Sequence, residues 1–420
     1  MIEILKSIRC IIKSAIILII NLIVYVITII IPKDKKTIIV GGWFGDRFAD
    51  NTRYFVLDLV DRKDYKTYFI VSDEKLYNEI KTRVNCVKKK SLKSFVLHLR
   101  AKYHVIDQSE KSLLAALSVR ATRINLWHGI PIKKIGNLTR IPRKNNFAEK
   151  LMVFNEKIDV LFRGYCRIGG WNSYYLLTPS KYDWDVLFSP CFSKLVKPLF
   201  AKYPRTDFVL NHKKKSNILL ANEKKYLEQI KKEKSNNKKI ILYVPTFRDK
   251  ASTKLLGTEN DEEISKYIEL LNNNNCVFVI KMHSADKTVL KECKNCIILS
   301  NECDISVFLP QADCLITDYS SVYFDYLVLN RPIIFYPYDY NYYSIDDRGL
   351  IVEYNSFTPG AKAFDYKEFY DTTKELINRG FLDNYQEERI KLAKKTTDLS
   401  LLSVIEIIDK GFNKYIEGEK

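Results

Sequence analysis

Arg123-Ile-Asn-Leu-Trp-His-Gly-Ile-Pro131 and Asp313-Cys-Leu-Ile-Thr-Asp-Tyr-Ser-Ser321 are the two stretches whose reading decides the fold. Each opens as a short apolar strand and breaks into a loop. The second then enters an apolar helix, Val322 to Leu329. Strands alternating with helices predict an open parallel sheet, because parallel neighbours need a long crossover. In such a sheet the loops at the carboxyl ends of the strands face the ligand. The first loop carries His128, a proton-transfer group. The second carries Ser320 and Ser321 at a helix N-terminus, a ready anion site. Chemistry on a phosphorylated substrate is the expectation.

The same pattern extends in both directions. Strands are predicted at Thr37–Val40, Thr67–Val71, Tyr103–Asp107, Arg123–Trp127 and Tyr174–Thr178. The first runs into Gly41-Gly-Trp-Phe-Gly45, after which Asp50 or Asn51 should cap a helix reaching about Val60. Residues 211–239 break the composition, rich in Lys, Asn and Glu, and read as a linker plus a solvated helix. A second set of strands follows at Lys239–Val244, Cys276–Lys281, Cys296–Leu299, Asp313–Thr317 and Pro332–Tyr336, and residues 387–412 read as terminal helices. Two such blocks predict two doubly wound α/β domains facing a cleft.

Three successive strand ends of the second block carry Thr246 and Arg248, then Lys281 and His283, then Ser320 and Ser321. Parallel strands bring these ends to one edge, where a guanidinium fork, an ammonium and helix N–H groups would cradle a pyrophosphate. His128 and His283, in loops of different blocks, would face each other across the cleft. His98, His104 and His212 read as structural or merely exposed. There is no Gly-x-Ser-x-Gly elbow, no Gly-x-x-x-x-Gly-Lys-[Ser/Thr] loop and no Gly-x-Gly-x-x-Gly, which argues against a serine hydrolase, a kinase-like site and a dinucleotide site.

The 420 residues carry a net charge of +18, spread widely, with no zinc-finger, basic-zipper or RNP-like pattern. That balance suits an anionic substrate or an anionic bilayer better than nucleic acid. Nine cysteines, scattered apart from Cys293-Lys-Asn-Cys296, read as inert thiols rather than a disulfide framework or a metal site. No cofactor and no metal are expected. Residues 14–31 are uncharged and rich in Ile, Leu and Val, with Lys6, Arg9 and Lys13 before them and Lys33, Lys35 and Lys36 after. Their length is near the lower limit for spanning a bilayer. The expectation is a membrane-associated helix, spanning or dipping, with the body on the cytoplasmic side of the cell membrane. A basic loop, Lys133-Lys134 with Arg140, Arg143 and Lys144, would add contact with anionic lipid.

The ordered set Trp127-His-Gly-Ile-Pro-Ile-Lys-Lys-Ile-Gly136, Tyr203-Pro-Arg-Thr-Asp207, Pro245-Thr-Phe-Arg-Asp249, Lys281-Met-His283, Thr317-Asp-Tyr-Ser-Ser-Val-Tyr-Phe-Asp325, Arg331-Pro-Ile-Ile-Phe-Tyr-Pro-Tyr-Asp339 and Arg348-Gly349 resembles the CDP-glycerol glycerophosphotransferase family, the teichoic-acid primases and polymerases. The resemblance covers about residues 37 to 400. It implies a GT-B-like fold of two Rossmann-like domains. It also implies transfer of glycerol phosphate or ribitol phosphate from a CDP-alditol, with release of CMP. The acceptor would be a polyprenyl-diphosphate-linked saccharide or a growing poly(alditol phosphate). On this reading residues 1–36 are an anchor and 37–205 an acceptor and base domain. Residues 206–385 form a CDP-alditol domain, and 386–420 are terminal helices.

By the same resemblance His128 matches the base and His283 a second catalytic position. Gly129, Ile130, Pro131, Ile132, Arg205, Thr246, Arg248, Lys281, Met282, Ser320, Ser321 and Asp325 match substrate-binding positions. Three residues depart from the family pattern: Ile130 stands for Thr, Ile132 for Leu and Ser284 for Pro. A homo-oligomer is compatible with the sequence. Two alternatives share the fold, a GT-B glycosyltransferase using a nucleotide sugar and a non-enzymatic module that binds anionic polymer.

Overall fold

The computed structural model describes residues 31–139, 171, 173–213, 218–248, 254–283, 296–347 and 349–418, with scattered positions between 12 and 30. The chain builds two all-parallel sheets. The first has seven strands: β1 (Asp34–Gly41), β2 (Lys66–Val71), β3 (Cys86–Lys88), β4 (Ala101–Ile106), β5 (Thr122–Asn125), β6 (Tyr174–Thr178) and β7 (Val196–Phe200), in the order β3-β2-β1-β4-β5-β6-β7. The second has six: β8 (Lys239–Val244), β9 (Cys276–Ile280), β10 (Cys296–Ile298), β11 (Cys314–Thr317), β12 (Ile333–Phe335) and β13 (Ala361–Lys362), in the order β10-β9-β8-β11-β12-β13.

Central strands β8 after its exposed Lys239 (Ile-Ile-Leu-Tyr-Val) and β9 (Cys-Val-Phe-Val-Ile) are apolar and buried because helices cover both faces. The ten predicted strands all form. Three more, β3, β7 and β13, lie at sheet edges and are short or carry Pro198. Each sheet reverses its winding direction once, between β1 and β4 and between β8 and β11. A crevice opens at such a switch point, outside the carboxyl ends of the strands.

The two halves are tied together. The Asp50–Leu57 helix contributes Arg53, which is fully buried and forks onto Glu223 at 2.7 and 2.9 Å. Glu223 belongs to the Ala221–Ser235 helix, which is solvated along most of its length as expected. Residues 132–134 of the first half pair with 349–351 of the second through a Lys133–Leu350 bridge and bonds from Lys134 to Gly349 and from Ile351 to Ile132. The junction placed between 205 and 206 falls inside the Pro204–Asn211 helix. The terminal helices Val404–Asp409 and Phe412–Gly418 return to the first half, where Arg62 bonds Asp409 and Phe412 packs on Tyr103 and Tyr175.

Most of residues 1–30, and Arg140, Arg143, Lys144, Asp249, Ser284, Cys293 and Arg348, lie outside the described residues. Among the described residues no helix is long and apolar enough to cross a membrane. Those described near the N-terminus are helical and mostly exposed, for example Ile16, Ile23 and Val26. Val24 instead packs with Leu99, Leu117 and Val119. Cys86, Cys191, Cys276, Cys303 and Cys314 are free thiols, all but the half-buried Cys86 buried. Cys296 departs from the expectation of inert thiols, being disulfide-bonded.

Candidate functional site

Loops from both sheets enclose a cleft of about 470 Å³. From the first half come the loops after β1, β4 and β5; from the second come those after β8, β9, β10 and β11. His128, Gly129, Ile130, Pro131, Arg205, Thr246, Lys281, Met282, His283, Ser320, Ser321 and Asp325 all line it. Parallel winding puts these loops on one edge of each sheet, and the bonds between halves turn the two edges toward each other.

His128 is positioned by backbone and side-chain bonds. Its Nδ1 lies 3.2 Å from the Asp107 carbonyl oxygen. A carbonyl only accepts, so Nδ1 carries the proton and Nε2 keeps its lone pair. Burial pushes the imidazole below its ordinary value, while Asp50 and the Asp107 bond pull it partly back. The ring is therefore neutral near pH 7, as a base must be. Trp127 has a φ of 55°, and its ring lies against His128 at 4.3 Å. Asn51 holds this strained loop, its side-chain amide donating to the Leu126 and Trp127 carbonyls at 3.1 and 2.9 Å.

Asn51 and Asp50 correct the capping expectation. The helix is preceded by Ala49, which offers no side-chain cap. Asp50 adopts a φ of 62° and turns its carboxylate to Arg205, 2.6 Å away. Tertiary partners outbid the local cap here.

Arg205 spans the cleft wall. It bonds Asp50 and the His128 carbonyl on one side and Asp325 on the other, with Thr206 also bonding Asp325. Arg205 and Asp325 were expected to bind substrate. Both line the cleft, yet each already neutralises the other in a buried network that fixes the His128 loop. Gly129 lies close against Ser321 of the second half. At a φ of 143°, a Cβ on it would meet the Ser321 Oγ at 2.5 Å. The Ser321 side chain makes no capping bond, and the Val322 N–H reaches the Ser320 Oγ at 3.5 Å.

Two expected binding residues do not reach the cleft. Arg248 is 1% exposed and bonded to Asp318 at 2.6 Å and Asp339 at 2.8 Å, with its guanidinium over the rings of Tyr319, Tyr338 and Tyr343. Its fork is spent inside the second half, because Asp318 and Asp339 reach it before any ligand could. Asp318 also accepts from the Thr246 N–H at 2.8 Å, so this ion pair shapes the β8 loop. Ile132 packs in the core instead, at 2% exposure.

Lys281 does line the cleft. Its ammonium donates to the Met282 and Asn301 carbonyls, and burial together with nearby Arg47 pushes it down to about 8. The His283 ring is exposed and stacks near Phe247 at 5.8 Å.

Sequence reasoning passed over Trp43, Arg47, Gln108, Asp107 and Asp304. The first three and Asp304 line the cleft. Asp107 stands behind His128 with its carboxylate bonded to the Trp43 N–H and the Thr52 hydroxyl, and burial raises it. The glycines of 41–45 were the available signal. Trp43 Nε1, Gln108 Oε1 and Thr246 Oγ1 are buried without a hydrogen-bond partner, and a ligand in the cleft could supply one. His98 and His104 are buried and structural as expected, while His212 is half-buried and bonds the Val209 carbonyl.

The profile of the family described as CDP-glycerol:poly(glycerophosphate) glycerophosphotransferase matches residues 23–398. A teichoic acid poly(glycerol phosphate) polymerase of Staphylococcus epidermidis is 28% identical over 84% of this chain, which spans 47% of that protein. A teichoic acid glycerol-phosphate transferase of Staphylococcus aureus is also 28% identical, over 82% of this chain and 84% of its own length. The structure of the wall teichoic acid polymerase TagF superposes with a TM-score of 0.67 at 22% identity, covering 100% of this chain and 98% of that one. This last likeness supports the fold.

Proposed function

This chain belongs to the CDP-glycerol:poly(glycerophosphate) glycerophosphotransferase family, and from that premise we propose that it transfers an alditol phosphate from a CDP-alditol to a hydroxyl acceptor. The arrangement is GT-B-like, with base and donor seats on opposite walls of one cleft. His128 Nε2 takes the proton of the acceptor hydroxyl. That oxygen forms a bond to the phosphorus bearing glycerol or ribitol, and the bond from this phosphorus to the CMP oxygen breaks. Lys281, the Thr246 hydroxyl and the Ser320–Ser321 turn stabilise charge on the departing CMP. His283, on the donor wall, can meet the leaving phosphate. Asp50, Asn51 and Arg205 keep His128 in place.

The acceptor on this reading is a lipid-linked saccharide or a growing poly(alditol phosphate), met at the cytoplasmic face of the cell membrane. The exposed apolar side chains near the N-terminus and the positive charge of the whole chain support that location. The observation that carries the proposal is a buried imidazole whose Nδ1 faces the Asp107 carbonyl, in a cleft that also holds Lys281 and the unpartnered Thr246 hydroxyl. The test is incubation with CDP-glycerol, CDP-ribitol and a UDP-sugar, each with a lipid-linked acceptor, followed by mass measurement of product. CMP release with a mass gain of one alditol phosphate supports the proposal. Turnover of the UDP-sugar alone, or of none of the three, overturns it.

A further inference from the structure

The cleft holds two cations from opposite sheets that converge on one oxygen. Arg47, in the loop after β1, donates to the Asn301 carbonyl at 3.1 Å. Lys281, just past the end of β9, donates to the same oxygen at 3.3 Å. One carbonyl dipole does not neutralise two full charges, and among the described residues neither cation forms a salt bridge. The groups facing them are Asp46 and Glu302 near Arg47, and Cys303 and Asp304 near Lys281. Both cations are held in place. The Arg47 guanidinium lies over the Trp43 ring at 5.0 Å, and Lys281 is only 5% exposed. Burial lowers both, and each sits in a cleft where Thr246 keeps an unpartnered hydroxyl. Gathering like charges in a partly desolvated cleft costs free energy unless an anion joins them.

We infer that Arg47 and Lys281 form a seat, shared between the two sheets, for the diphosphate of the nucleotide donor. Arg47 supplies the guanidinium fork that Arg248 cannot, since Arg248 is closed off by Asp318 and Asp339. The donor diphosphate is favoured over an acceptor phosphate because Lys281 belongs to the edge where Thr246 and Ser320 meet. Two cations also match a group carrying at least two negative charges. This rests on the CDP-alditol reading above for the identity of the ligand, but the seat itself is testable with inorganic pyrophosphate.

Titration calorimetry of the full chain would compare pyrophosphate, CDP and poly(glycerol phosphate) binding in wild type, Arg47→Gln, Arg47→Lys and Lys281→Gln. Both Gln variants should lose 10-fold or more in affinity for pyrophosphate and CDP, and Arg47→Lys should fall between. Binding to wild type near pH 8 should take up protons, up to about half a proton at Lys281, because an anion raises an ammonium that is half-titrated there. That uptake appears as a binding heat that varies with the buffer, and it needs no mutant to fold. Unchanged affinity in folded Arg47→Gln, or no pyrophosphate binding by wild type, overturns the seat. Loss of poly(glycerol phosphate) affinity with pyrophosphate affinity unchanged also overturns it, in favour of the acceptor. If pyrophosphate binding depends on Arg47 but no CDP-alditol is turned over, the seat stands and the proposed activity fails.

Discussion

At His128 a single hydrogen bond selects the nitrogen that can act. The Asp107 carbonyl accepts from Nδ1, and burial keeps the ring neutral. His128→Ala should therefore reduce turnover roughly 100-fold or more, the usual size of a general-base contribution, with CDP affinity nearly unchanged. The pH dependence has a definite sign. A base with a lowered value is active above that value and is lost as protons bind below it. The acidic limb of kcat/KM should lie below 6.5, the ordinary imidazole value. Near-wild-type turnover in the variant, or a limb above 6.5, would sink the role. Arg248 shows the same scale working the other way. A strand-end arginine that looks free to bind phosphate is consumed by two aspartates of its own domain. Removing it would leave both carboxylates poorly compensated, a defect of stability before it is one of binding.

Among the elements, the Leu92–Arg100 helix shows how a buried histidine fastens a helix to its sheet. His98 Nδ1 donates to the Ser94 carbonyl at 2.7 Å, and its Nε2 accepts from the Leu114 N–H at 3.0 Å. The His98 carbonyl in turn accepts from His104 on β4. A proton on Nε2 would set two donors against each other. Burial accordingly pushes His98 down to about 4 from an ordinary 6.5. Above 6.5 neither the folded nor the unfolded chain binds this proton, and the stability is fully present. Between 6.5 and 4 only the unfolded chain binds it, so stability falls as pH falls, by up to about 1.4 kcal/mol per unit. Urea unfolding at pH 7, 6 and 5 should show a shallower decline for His98→Gln than for wild type. Parallel declines would contradict this assignment.

For the whole molecule, the open question of attachment turns on the N-terminal segment. β1 begins at Asp34, and Val24 covers Leu99, Leu117 and Val119. A chain beginning at Pro32 should therefore fold, keep CDP binding and lose some thermal stability. It should float with anionic liposomes more weakly than the full chain. The residue of binding should fall steeply with salt and depend on Lys133, Lys134, Arg140, Arg143 and Lys144, because attraction between these cations and an anionic surface is screened over about 10 Å at 0.1 M. Flotation equal to that of the full chain would show that the apolar segment is not the main anchor.

Ten strands, their grouping into two doubly wound blocks and the loops bearing His128, Lys281 and Ser320 were legible in the chain by itself. Apolar runs of four to six residues followed by polar or glycine-containing loops are a local signal, and parallel winding carries those loops to one edge. Strands β3, β7 and β13 were not legible: β3 and β13 are only three and two residues long, and β7 carries Pro198. Partnership was not legible either. Only the tertiary structure decided that Arg248 faces Asp318 and Asp339, that Arg205 locks onto Asp50 and Asp325, and that Arg47 meets Lys281 across 234 positions of chain. Side-chain charge is written in the sequence, but what neutralises it depends on which carboxylates folding brings within 4 Å. That is a property of the assembled halves and not of any segment.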